Sequence, residues 1–152
     1  MTVTDLPDEP VFWYLPEDEG GWERAARPAN ALLRVIPPLD QLLFSRGRFS
    51  QLFGFDYKFE AYTPADKRRF YFAKPMLLGD EVVGLVDAKL DRNGGKPVWQ
   101  IVGLDLMRPV PPDLLRQGLH RVARLAGAEQ VKVAARAPRA IKAALNGRID
   151  RL

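Results

Sequence analysis

VIPPLDQLLFSRGRFSQLFGFDYKFEAYTPADKRR, residues 35–69, and LLGDEVVGLVDAKLDR, residues 77–92, decide how this chain folds. Aromatic and branched residues alternate there with basic pairs. Turn signals (Thr63-Pro64, Gly79-Asp80, Asn93-Gly94-Gly95) separate the apolar runs. Alternation with period two, bounded by Gly, Pro, Asn and Asp, is the pattern of strands that bury one face. The stretch reads as a small antiparallel sheet carrying cationic side chains.

Within it, Leu32 to Ile36 is a short apolar strand stopped by Pro37-Pro38. Asp40 is placed to cap a short helix over Gln41 to Phe44, although a loop fits equally well there. Ser45 to Phe53 sets Phe49, Leu52 and Phe53 at helical spacing, and Gly54 stands where such a helix ends. Arg46 and Arg48 then lie at the start of that helix, where cations oppose its dipole. A partner is expected for them: Asp40, Asp56 or a phosphate. Phe55 to Tyr62 reads as a half-buried strand, with Tyr57, Phe59 and Ala61 on one face and Lys58 and Glu60 on the other. Lys67-Arg68-Arg69 and then Phe70-Tyr71-Phe72 follow. Three cations before three rings suit a nucleic-acid surface, with charge for phosphate and rings for stacking. The rings are equally suited to fill a core.

Met76 to Leu78, the Gly79-Asp80 turn and Val82 to Leu90 form a hairpin. Asp91 to Lys96 is a second turn, and Val98 to Met107 is the returning strand. Lys89, Arg92 and Lys96 gather at that end. Pro111-Pro112-Asp113 opens the clearest helix, closed by Gly127. Leu115, Gly118, Leu119, Val122 and Ala126 form its apolar face, and Arg116, Gln117, His120, Arg121 and Arg124 its polar face. Gln130 to Ala134 is a strand, and a last helix runs from Pro138 to about Leu145. Upstream of the central stretch, Val11 to Leu15 is a short strand, Trp22 to Arg27 has room for a turn or two of helix, and residues 1–10 are a flexible acidic arm. The expected organisation is that arm plus one α+β domain over 11–152, a twisted antiparallel sheet or small β-barrel packed by C-terminal helices.

The 152 residues suit one domain with a real core, and a 47% hydrophobic and 28% charged content is that of a globular protein. With no cysteine, disulfides, thiolate chemistry and cysteine zinc sites are excluded. No apolar run reaches the ~20 residues of a membrane span, and the N-terminus lacks the pattern of a signal peptide. A cytoplasmic protein with no membrane partner is expected. Residues 1–23 hold seven acids and no Lys or Arg, which leaves 23 bases against 12 acids over residues 24–152. A body so basic favours polyanionic partners, nucleic acid first and anionic membrane second. The single histidine, His120, is expected to face solvent. No metal pair, phosphate loop, dinucleotide fingerprint or nucleophile elbow occurs, so no catalytic residue, metal or cofactor is assigned. Asp87, Asp91 and Asp105 could approach one another across the sheet, and an enzyme whose site uses one of them stays open as a further class.

Pro38 to Arg48 (PLDQLLFSRGR) resembles the PFDNLLWDRxR motif of the YcaQ/AlkZ family, winged-helix DNA glycosylases that excise alkylated bases and unhook crosslinks. The likeness continues through Leu52 to Tyr57, Phe59 to Tyr62, Pro64 to Arg69, Leu78 to Gly84 and Asp87 to Arg92, and covers roughly residues 11–135. Ser45, Phe44 and Leu85 stand where the family usually has Asp, Trp and Arg, and the stretch after Arg69 is one residue shorter. The resemblance is to the family's C-terminal, β-barrel region. Its catalytic Gln-x-Gln or Gln-x-Asp triplet begins at none of Gln41, Gln51, Gln100, Gln117 or Gln130. The resemblance implies a non-catalytic DNA-binding domain linked to repair. Lys67, Arg68, Arg69, Lys89, Arg92, Lys96, Arg46 and Arg48 would then contact phosphates. The alternative is a subunit that completes a split glycosylase by docking a winged-helix protein chain.

Overall fold

In the computed structural model, residues 2–3, 12–13, 15–18, 21, 32–93 and 95–149 are described. The chain forms two compact units, residues 1–30 and residues 31–152. In the first, β1 (Thr2–Val3) pairs antiparallel with β2 (Phe12–Trp13), and Pro16–Asp18 makes one short helical turn. Apart from Thr2 and Val3, the acidic arm expected over 1–10 lies outside the described residues, as does the helix expected at 22–27.

The second unit is α+β, as the alternation and the helical spacings predict. Six strands run in the spatial order β3 (Leu33–Val35), β4 (Lys74–Leu78), β5 (Glu81–Asp91), β6 (Val98–Leu106), β7 (Gln130–Val133) and β8 (Gly147–Arg148). Gly79, at φ 66°, and Asp80 close the β4–β5 hairpin in two residues, because glycine enters the left-handed region at no steric cost. The pairing register shifts between Met76 and Leu77 and again between Asp87 and Ala88. Such bulges bend a strand and curl the sheet. The sheet is not wholly antiparallel. β7 lies parallel to β6, which requires a crossover, and α3 (Pro112–Leu125) supplies it.

Each face of the sheet carries its own core. On the first, Leu33, Met76, Val86, Trp99, Ile101, Val131 and Val133 pack against Leu115 and Leu119 of α3 and Leu145 of α4 (Arg139–Leu145). A Cβ at Gly118 would stand 2.6 Å from Leu33 Cβ and 2.9 Å from Leu33 O, so glycine there sets how closely α3 approaches β3. His120 is a correction to the expected solvent-facing residue. It is buried, and its Nε2 lies 2.7 Å from Leu145 O, which makes that nitrogen the donor. The helix pattern shows a polar flank, but α4 covers that flank. Ala126, placed on the apolar face by spacing, is exposed because the helix has already ended.

On the second face, α1 (Gln41–Phe44) and α2 (Arg46–Phe53) lay Leu43 and Phe49 over Leu77 and Val82. Asp40 caps α1 by accepting from Leu42 N at 2.9 Å. Gly54, at φ 59°, ends α2 and donates to Ser50 O. Burial of the Phe49 ring contributes about 2–3 kcal/mol. The strand expected over Phe55 to Tyr62 does not form. Burial does alternate, with Tyr57 buried and Lys58 exposed, but the segment belongs to no sheet and packs on the second core instead. Side-chain alternation reports which side faces a core; it does not show that the backbone has found a neighbour.

Candidate nucleic-acid interface

The second face of the sheet beyond the α1–α2 core is crossed by the loop of residues 60–73, which carries Lys67-Arg68-Arg69-Phe70-Tyr71-Phe72. Three carboxylates hold this loop down. Glu60 Oε2 accepts from Arg69 N at 2.9 Å and from Phe70 N at 3.3 Å. Asp87 Oδ2, on β5, accepts from Tyr71 N at 3.1 Å and Phe72 N at 3.0 Å. Asp105, on β6, pairs with the Arg69 guanidinium. Phe70 covers Gly103, the cross-strand partner of Asp87, where any Cβ would run into the ring. Lys74 Nζ donates to Phe72 O at 3.0 Å and lies 5.2 Å from the centre of the Phe72 ring. Burial pushes the Lys74 ammonium below its usual range, and the Asp87 charge opposes that fall.

Past this loop no other described element of the 31–152 unit covers the same face. Asp87, Lys89 and Asp91 share one side of β5, and the register continues it through Gln100 on β6 and Lys132 on β7. Lys89, Gln100 and Lys132 thus form one cross-strand row, and Arg148 lies opposite Gln130 at the next edge. Lys89, Lys132 and Arg148 are exposed. With strands ~4.8 Å apart, the Lys89 and Lys132 backbones are roughly 10 Å apart. Asp91, on the same side, accepts from Asn93 N at 3.0 Å through its Oδ1 in the hairpin turn. Exposed Arg92 and Lys96 extend the strip at that turn. The result, among the described residues, is a bare sheet face lined with long cations, next to a braced loop that bears two more, Lys67 and Arg68. The family model of DNA glycosylase AlkZ-like proteins matches residues 1–128.

The chain belongs to the AlkZ-like DNA glycosylase family. No solved structure matches it. Membership ties the chain to DNA repair and makes DNA its natural polyanion. Among the described residues no helix is long and apolar enough to cross a membrane.

In this family member the basic residues singled out by sequence divide into three groups. Lys89, Arg92 and Lys96 are together on the bare face and its hairpin. Lys67 and Arg68 are on the braced loop, where Arg68 donates to Thr63 O at 3.4 Å and lies 4.7 Å from the centre of the Tyr71 ring. Arg69, on the same loop, is paired with Asp105. Arg46 and Arg48 are apart from both, on α2. Neither expected acid partners them: Asp40 caps α1, and Asp56 accepts from Ser50 Oγ. Arg48 Nη2 instead donates to Gln41 O at 2.8 Å, and its buried Nε has no hydrogen-bond partner among the described residues.

Two cations of the bare face, Lys132 and Arg148, escape sequence reading. Nothing local marks them; only the parallel docking of β7 beside β6 brings them into line with Lys89. The acids considered for an enzyme all have structural partners: Asp87 two amides, Asp105 an arginine, Asp91 a turn amide. Among the described residues, no three His, Asp or Glu side chains form a group able to hold a metal ion.

The loop is also tied at its far end by Tyr57, whose hydroxyl donates to Ala73 O at 2.8 Å. Burial pushes the phenol up to about 12, an effect that the nearby Arg46 opposes. A phenol that ionises later in the folded than in the unfolded chain lends stability below pH ~10. That stability is lost as pH rises toward ~12. Tyr57→Phe is therefore expected to cost about 1 kcal/mol at pH 7 through the lost hydrogen bond. It should also flatten the fall of stability between pH 10 and 12. Urea unfolding at both pH values checks this, and parallel curves for the two proteins would contradict it.

Proposed function

We propose that this domain binds DNA without cleaving a base, and that the strip of Lys89, Arg92, Lys96, Lys132 and Arg148 takes the phosphate backbone. The observation that carries the reading is the cross-strand row of exposed cations on a part of the sheet face that no described helix covers. Helices α3 and α4 cover the other face, and α1, α2 and the folded loop cover the rest of this one. Lys67 and Arg68 extend the track along the loop, while Arg69 acts by positioning that loop through Asp105. Arg46 and Arg48 are left outside the contact.

Each phosphate neutralised contributes about 0.9 to the slope of log K against log salt, so five contacts give a slope of about −4.5. Fluorescence anisotropy with labelled duplex DNA across a salt series measures this directly. A slope near zero, or no binding at low salt, would contradict the proposal. Base release from alkylated DNA by this chain alone would overturn the non-catalytic part of it. A second reading, docking of a winged-helix protein chain, is favoured by Leu39 and Phe44. These two apolar side chains on the α1 segment are 81% and 85% exposed. It predicts that such a chain co-purifies and that Phe44→Ser releases it.

A further inference from the structure

We infer that the 60–73 loop is a stacking platform for an unpaired nucleobase, so that the preferred DNA has unpaired bases beside a backbone track. This deepens the DNA-binding reading above and rests on it. Four aromatic rings, three in the loop and Phe59 just before it, run in contact. The centroid of Tyr62 is 6.1 Å from that of Phe59, Phe59 is 5.2 Å from Phe72, and Phe72 is 6.3 Å from Tyr71. The inner pair is half-buried and anchors the chain of rings to the second core. The outer pair faces water: Tyr62 is 93% exposed and Tyr71 54% exposed.

Exposed tyrosines are common on surfaces, and alone these two would mean little. What separates them is the framework beneath Tyr71. Four consecutive amides, from Arg69 to Phe72, are taken by two carboxylates, the first pair by Glu60 and the second by Asp87. Arg69 is clamped to Asp105, and the Phe70 ring is seated on Gly103. The backbone that carries the Tyr71 ring is therefore fixed on both sides of it, and the ring itself is exposed. Preorganised rings bind at a lower ordering cost than mobile ones. The Arg68 guanidinium lies over one face of the Tyr71 ring, 4.7 Å from its centroid, and puts a cation at the platform for the phosphate of a nucleotide stacked on the other face. In a duplex the base faces are already stacked on one another, so only an unpaired base offers a free face to these rings.

The test compares a labelled single-stranded oligonucleotide with a duplex of equal length, using the full chain and its Tyr71→Ala and Tyr71→Phe forms. Because the ring is on the surface, both substitutions leave the fold intact, which thermal unfolding confirms. Loss of one stacked base is expected to weaken single-strand binding by about tenfold in Tyr71→Ala. Tyr71→Phe keeps the ring and should bind as the parent does, and duplex affinity should stay nearly constant throughout. A 2-aminopurine in the single strand should be quenched by the parent protein and not by Tyr71→Ala. If the parent binds duplex with a steep salt slope but Tyr71→Ala changes neither single-strand affinity nor quenching, the platform is wrong and the phosphate track stands. If neither DNA binds, both are wrong.

Discussion

Asp87→Ala is expected to lower the stability of the 31–152 unit by about 3 kcal/mol or more, the largest effect of any single substitution near the interface. The carboxylate is buried on β5 and accepts the amides of Tyr71 and Phe72. Removing it leaves two amide donors without their acceptor, and hydrogen bonds to a charged group are each worth about 1.5–3 kcal/mol. It also removes the charge that offsets the burial of the Lys74 ammonium, so that Lys74 falls further below its usual range. For a protein of this size the loss corresponds to a fall in Tm of roughly 10 °C. Asp87→Asn retains one acceptor oxygen but no charge, and should lie between the two. The loop would lose its hold before the sheet does. Hydrogen exchange at Tyr71 and Phe72 is expected to accelerate in both variants, with the amides of β5 and β6 less affected. Unchanged exchange at those two positions would show that Asp87 is not the clamp.

The second large effect concerns binding. Simultaneous replacement of Lys89, Lys132 and Arg148 by Ala is expected to reduce the salt slope of duplex binding by about 3. Affinity at 0.1 M salt should fall on the order of a hundredfold. The control removes the same charge elsewhere: Arg136, Arg139 and Lys142, on and just before α4, replaced by Ala. Long-range attraction from net charge alone would make the two triple variants equal, since screening beyond ~10 Å leaves only a diffuse field. Contact predicts that the control keeps nearly the full slope. Equal losses in both would reduce the bare face to one part of a generally basic surface. The three side chains are exposed and make no ion pair or hydrogen bond among the described residues, so the fold should tolerate the change.

Much of this arrangement is legible in the sequence wherever local chemistry decides it. Gly79-Asp80 fixes a two-residue turn, and that turn fixes the β4–β5 register. Asp40 is a cap because it stands directly before Gln41, the first residue of α1, with Leu42 N in reach, and Gly54 ends α2 because only a residue at ease in the left-handed region fits there. Long-range pairing is where local signals stop. Phe55 to Tyr62 has the alternation of a strand but no neighbour, since the loop that follows it occupies the sheet face. His120 sits on a polar helix flank, and only the return of α4 buries it. Lys132 is three residues inside a four-residue strand of ordinary appearance, and it joins Lys89 only because β7 docks parallel to β6. The carboxylate clamps are equally invisible: Asp87 reaches amides 15 and 16 residues away, and Asp105 reaches Arg69 across 36. The family resemblance carried by PLDQLLFSRGR correctly anticipates a DNA glycosylase relative. It does not show which cations share a surface.

Lysine acetylation footprinting with and without saturating duplex DNA, read by mass spectrometry, locates the contact in a single experiment. DNA is expected to protect Lys89, Lys96 and Lys132, and to leave Lys58, which is exposed on the far segment after α2, as reactive as before. If Lys89 and Lys132 are modified at the same rate in the complex as in the free protein, the bare sheet face is not where DNA lies.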